Sequence, residues 1–174
     1  YGLLYNWYAA TDVRNIAAEG WEVPSIEDYN LLMIYLDPDG LGFSNDAGGY
    51  LKESGLTYWN SPNTSATNNT EFNGRGSGRR DYVSGEFLYL KERSSYLTDQ
   101  IDGGGTFSIY SELKYNSSIF QLEEDDSVKE GKSIRLIKTT TTLTHGQKGT
   151  YTGNDGKVYR TICIGTQEWL ADNL

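Results

Sequence analysis

GTYTGNDGKVYRTICIG, residues 149–165, is the stretch from which the fold is read. Alternation in VYRTICIG indicates a strand, and Asp155-Gly156 can supply a primed turn, so the stretch reads as a β-hairpin. Immediately before it, Thr139–Thr142 and LTHGQKG form a polar connector over 139–148. Further back, EFLYLK, SSYLT, TFSIYSEL, SSIFQLEE and SIRLIK give a run of short β patterns from Glu86 to Lys138. Asp102-Gly103-Gly104-Gly105 suits a hairpin or loop tip among them.

The first half reads differently. Leu3–Ala10 contains no helix breaker. Ser25 stands as an N-cap ahead of IEDYNLLMIYL, with Asp28 three residues on as its capping-box partner. Ile26, Tyr29, Leu32, Met33 and Leu36 fall on one helical face, and Asp37-Pro38-Asp39-Gly40 closes the run. A short helix is expected near Gly48–Ser54. Residues 55–85 are rich in Asn, Ser, Thr and Gly, but anchored by Trp59 and Phe72, so they form a folded irregular region rather than a linker. Helices first and antiparallel strands later predict an α+β domain.

The 174 residues fit one domain, with 1–138 as the main body. A net charge of −9 argues against a sequence-independent grip on nucleic acid or an anionic membrane, which calls for a basic face. No apolar window reaches membrane-span length, and no signal-peptide pattern is present. The first residue is Tyr1 rather than Met, as in a processed product or an excised fragment.

Catalytic chemistry finds few parts. Cys163 is the single cysteine, so no intrachain disulfide can form, and its place in a strand makes it a small core hydrophobe. The single histidine, His145, lies in the polar connector with nothing to fix its tautomer. Glu123–Asp126 reads as a solvated turn, and Asp99 with Asp102 as a second pair of carboxylates. No cofactor is expected. Asp37–Gly40 and Asn154–Gly156 offer hard oxygen ligands suited to calcium, and neither has EF-hand spacing. GRGSGRRD at 74–81 lacks the lysine and helix start of a phosphate loop.

Several phrases together resemble the Fibrobacter succinogenes major paralogous domain, a family of bacterial surface and secreted modules also found in phage. They are YGLLYNWYAA at 1–10, EGWEVPS at 19–25, AGGYLKESGLTYWNSPNTSATN at 47–68 and, less closely, GRRDYVSGEF at 78–87. SIRLIK at 133–138 is similar to the family's closing strand, and DGKVYRTICIGTQEWLADNL at 155–174 to its opening segment. The resemblance implies a C-type-lectin-like α+β fold in which two helices flank a small twisted antiparallel sheet beneath a large irregular loop region. It also implies structural anchors at Trp7, Trp21, Trp59 and Trp169, while Arg79-Arg80-Asp81 reads, on its own charges, as bracing the loop region by ion pairing. The fold's enzymatic relatives, the formylglycine-generating enzymes, use two redox cysteines, so their catalysis does not carry over. The segments stand in reversed order, either as a circular permutation in which 149–174 completes the sheet of 1–138 or as a piece straddling two tandem copies.

Tyr82, Tyr89, Tyr96, Asp99, Phe107, Tyr110, Tyr115 and Asn116 lie where the resemblance is poorest. Tyrosine offers a large contact area at little entropic cost, which makes these residues candidates for a binding face. The alternative is that the tyrosines pave the sheet. The expectation is therefore a non-catalytic module on a cell surface, in a secreted assembly or on a virion. It would bind a protein or glycan through residues 82–120, or else copies of itself in a structural assembly.

Overall fold

Ser25 caps the longest helix where the sequence places the cap. In the computed structural model, which describes residues 1–39 and 45–174 with the side chain of Asp125 left aside, helix α2 spans Ile26–Leu36. Ser25 Oγ accepts from the Asp28 N–H, and Asp28 answers with a carboxylate on the Ser25 N–H at 2.8 Å. Tyr29, Leu32 and Met33 are buried beneath it. Gly40, the last residue of the expected stop signal, lies outside the described residues.

The other two described helices are single turns, α1 (Trp7–Ala10) and α3 (Ala47–Leu51). The expected helix over Leu3–Ala10 starts only at Trp7, because Asn6 caps it there and the preceding residues are claimed by tertiary pairing. Tyr5 exchanges backbone hydrogen bonds with Lys132, and the Leu3 N–H donates to Leu174 O at 2.9 Å.

Strands carry the rest. Five form one antiparallel sheet in the order β1 (Trp21–Glu22), β7 (Ile137–Lys138), β10 (Gln167–Leu170), β9 (Val158–Ile164), β8 (Lys148–Thr152). A second sheet is the meander β4 (Arg93–Ile101), β5 (Phe107–Lys114), β6 (Gln121–Ser127). A two-stranded hairpin, β2 (Arg79–Arg80) with β3 (Phe87–Leu88), runs beside the edge of β4. Strand accounts for 33% of the described residues and helix for 12%, which overturns the α+β, C-type-lectin-like expectation of two helices flanking one small sheet. The acidic run Glu123–Asp126 is likewise part of strand β6, not a turn. The β8–β9 connection is a five-residue loop, Gly153–Lys157, longer than the expected two-residue turn.

Two hydrophobic clusters share the interior. One gathers Tyr29, Trp59, Phe72, Tyr96, Phe120 and Trp169, and the other Trp21, Val23, Leu97, Leu136, Leu170 and Leu174. Both mix residues from the two ends of the sequence, so the closing hairpin packs within the same body as the opening segment. The ends themselves meet: a Cβ on Gly2, at φ +82°, would lie 2.5 Å from Asn173 Cβ.

Between the sheets runs the buried segment Gly131–Ile137. It pairs with Ser95–Leu97 on one side and with Leu170 and Leu174 on the other. Arg135 within it is 1% exposed. Its guanidinium donates to Phe72 O (2.6 Å), Leu170 O (2.8 Å), Asn73 O (2.9 Å) and Asn173 Oδ1 (2.6 Å), and it faces the Phe72 ring at 4.4 Å. Lys52, fully buried, plays the same part elsewhere, donating to Thr64 O, Lys114 O and Ser117 O at 2.7–2.9 Å. Burial there pulls its pKa down to about 8.

Removing Arg135 leaves several buried oxygens without donors. We expect Arg135→Met to cost about 3–5 kcal/mol in urea unfolding. Arg135→Lys should recover only part of this, since an ammonium cannot span a forked set of acceptors.

Candidate functional site

The hairpin of residues 79–91 presents the densest group of exposed large hydrophobics. Val83 is 78% exposed, Phe87 74% and Leu90 54%, with Tyr82 and Tyr89 also at the surface. Isolated apolar side chains on a surface are ordinary, but several on one short hairpin are not.

Local chemistry holds this hairpin out. Asp81 closes its turn by accepting from the Val83 and Ser84 N–H groups and the Ser84 hydroxyl. It braces its own loop by this turn rather than by the expected ion pairing. Arg80 anchors through its backbone, exchanging hydrogen bonds with Gly131. Beyond β3, Tyr89 (φ +60°) and Lys91 (φ +64°) sit in the left-handed region, which costs side-chain-bearing residues about 1–3 kcal/mol each. Compensating bonds run from Lys91 N–H to Gly76 O (2.7 Å) and from Asn60 N–H to Lys91 O (2.9 Å). The Tyr89 ring is flanked by the guanidinium groups of Arg79 (5.3 Å) and Arg93 (4.7 Å). Gly78 (φ +67°) is required where the two strands close, since a Cβ there would meet Leu88 O at 2.3 Å.

Beneath lies a buried charge cluster. Asp126 accepts from Arg79 and pairs with Lys132 Nζ at 3.4 Å, and Lys132 also covers the Tyr110 ring at 4.4 Å. Burial pushes the Asp126 carboxyl upward, but the Lys132 charge and the Arg79 hydrogen bond outweigh it, so its pKa is net lowered. Glu130, 5% exposed, is raised by burial. Beside the hairpin, Arg93 leads onto an ion ladder across the meander: Arg93–Glu112 at 3.5 Å, Lys114–Glu112 at 2.8 Å and Lys114–Glu123 at 3.4 Å.

The candidate binding residues separate into distinct environments. Tyr82, under the Lys129 ammonium at 6.0 Å, and Tyr89 belong to the hairpin. Phe107 and Asp99 are exposed at the end of the meander nearest Gly103, and Asn116 is exposed at the opposite end. Tyr115 is half-buried against the core. Tyr96 (0% exposed) and Tyr110 (3%) are interior and unavailable to a ligand, because β4 and β5 are packed on both faces. Trp59 and Trp169 are core, and Trp59 Nε1 donates to Gly74 O. Trp21 is buried against Tyr151, while Trp7 is half-buried beside Tyr8. Val83, Phe87, Leu90 and Arg93 were not among the candidates. The signal available was an apolar run, FLYL, in a stretch too short to be covered on both sides.

Cys163 is fully buried with its thiol pushed up by burial, and His145 Nδ1 accepts from the Gly165 N–H at 3.3 Å. Among the described residues no three His, Cys, Asp or Glu side chains gather to hold a metal ion, and no helix is long and apolar enough to cross a membrane.

The architecture is thus a β-rich body with irregular loops pinned by buried cations and one protruding apolar hairpin. Residues 1–138 match the Fibrobacter succinogenes major domain, and the chain belongs to that family. No curated protein and no solved structure matches it.

Because the folded Asp126 carboxyl titrates below the unfolded one, its stabilising contribution is fully present above the unfolded pKa of about 3.9 and is lost as pH falls through the folded value. Asp126→Asn should therefore unfold more easily at pH 7, and the gap in urea midpoint should narrow progressively below pH ~4.

Proposed function

We propose that this chain is a non-catalytic recognition module, displayed outside the cell, which seats a protein partner on the apolar hairpin of residues 81–91. The observation that carries the reading is the outward placement of Val83, on the turn closed by Asp81, and of Phe87 and Leu90, beside the left-handed Tyr89 and Lys91. Strain of this kind persists only where surrounding contacts enforce it, and it gathers at functional sites. Neighbouring exposed aliphatic and phenyl groups suit a protein partner, whose own apolar side chains can pack on them and leave water together. Arg79, Arg93 and the ion ladder form a polar rim beside an apolar centre, as specific interfaces do. A single small patch binds weakly, so multiple display would raise avidity.

Peptides selected from a random display library on the wild-type protein provide the probe. Phe87→Ser with Leu90→Ser should weaken their binding about tenfold or more, with stability changed by less than about 0.5 kcal/mol. Peptides that bind both forms equally would refute the site. A wild-type dimer that becomes a monomer in the double variant would replace the foreign partner with a second copy of the chain.

We infer in addition that the family's segment order is permuted here. The family match stops at residue 138, while Ile162, Trp169 and Leu170 from the remaining segment occupy the core. A reordered chain running 149–174, a short Gly-Ser linker, then 1–138 should keep the near-ultraviolet circular dichroism and cooperative unfolding of the original. A molten or aggregating product would count against the inference.

A further inference from the structure

A second feature lies apart from the hairpin, where the two ends of the chain meet. There a cleft of about 290 Å³ is lined by Leu3, Tyr5, Ile16, Tyr159 and Leu174 together with Asn15, Asn154, Asp155 and Lys157. That volume sits at the lower limit of small-molecule pockets, which begin at roughly 300 Å³, so the cleft suits one ring rather than a chain.

Its construction follows from strand register. Tyr151 and Tyr159 stand opposite each other on β8 and β9, and the loop Gly153–Lys157 folds over them. The Tyr159 hydroxyl donates to Asp155 Oδ2 at 3.0 Å, and Lys157 Nζ lies 3.0 Å from the same oxygen. Asn154 Nδ2 donates to Asn15 O at 3.1 Å, which fixes the loop against the 12–16 turn. The Tyr151 hydroxyl instead accepts from the Ala18 N–H at 2.9 Å, so Tyr159 supplies the phenol bonded to this carboxylate.

The chemistry narrows the ligand. Asp155 and Lys157 neutralise each other, which removes the net charge an ionic ligand would require. The polar lining mixes a donor, Lys157 Nζ, with acceptors, the Asp155 carboxylate and the amide oxygens of Asn15 and Asn154. The rest of the lining is two aromatic rings, Tyr5 and Tyr159, and three aliphatic side chains. A neutral ring with one apolar face and a hydroxylated edge meets each of these requirements. We propose that this cleft binds a single hexopyranose unit, packed on Tyr5 and Tyr159 with its hydroxyls turned to Asp155, Lys157 and the asparagines.

The test is saturation-transfer NMR on the full chain with glucose, galactose, mannose and N-acetylglucosamine, each at about 10 mM, where millimolar binding is visible. At least one sugar should receive saturation from the protein, and Tyr5→Ala should abolish the signal. Asp155→Asn, an exposed and isosteric change, should weaken binding roughly tenfold through the lost charge-assisted bonds, and it decides alone should Tyr5→Ala misfold. Phe87→Ser should leave the signal intact, which separates this cleft from the hairpin reading. Silence from all four sugars, a signal indifferent to Asp155→Asn, or one lost with Phe87→Ser would overturn the proposal.

Discussion

A buried guanidinium holds this molecule together. Arg135 reaches four oxygens from two separated parts of the chain, residues 72–73 and 170–173. All four are neutral, so the charge is stabilised by dipoles and aromatic faces rather than by a carboxylate. Lys52 repeats the device with three carbonyls. Both solve the same problem. Three of these oxygens, on Thr64, Phe72 and Asn73, belong to the long irregular region between α3 and β2, where a carbonyl buried without a donor would cost about 1–3 kcal/mol. One multivalent donor serves several such carbonyls at once. Each cation therefore acts as the missing strand of an irregular segment, and a loop-rich chain keeps a fixed shape.

The same logic organises the surface. Arg79 belongs at once to the buried cluster with Asp126 and Lys132 and to the ring of Tyr89. The shape of the hairpin is thus tied to an interior charge arrangement, and the left-handed residues after β3 are offset by bonds to Gly76 and Asn60. Presentation of apolar groups to water is enforced from below.

Much of the local structure was legible in the chain. Ser25 and Asp28 specify the start of α2, and their reciprocal bonds are both present. TFSIYSEL and VYRTICIG lie where β5 and β9 form. What escaped was the tertiary context. Leu3–Tyr5 has nothing against helix in its own composition, yet Lys132 and Leu174 draw it into extended pairing. Tyr96 and Tyr110 alternate as half-exposed strand residues do, but β4 is covered on both faces, Tyr96 facing the α2 cluster and Leu97 the Ala10 cluster. Arg135 in SIRLIK gave no sign of burial, since an isolated arginine in a strand pattern reads as a surface residue. Tyr82 and Tyr89 stand at the surface, while EFLYLK reads as a strand and gives no sign that Phe87 and Leu90 face water.

The meeting of the first and last residues has a mechanical corollary. A tether attached at Tyr1 and another at Leu174 leave the surface from one spot, beside the Leu3–Leu174 bond and the Asn173 contact to Tyr1. Copies strung on such tethers would hang like pendants from a cord instead of forming the links of a rod. Tension along the cord would peel that single seam bond by bond, and the sheets behind it would feel little of the load.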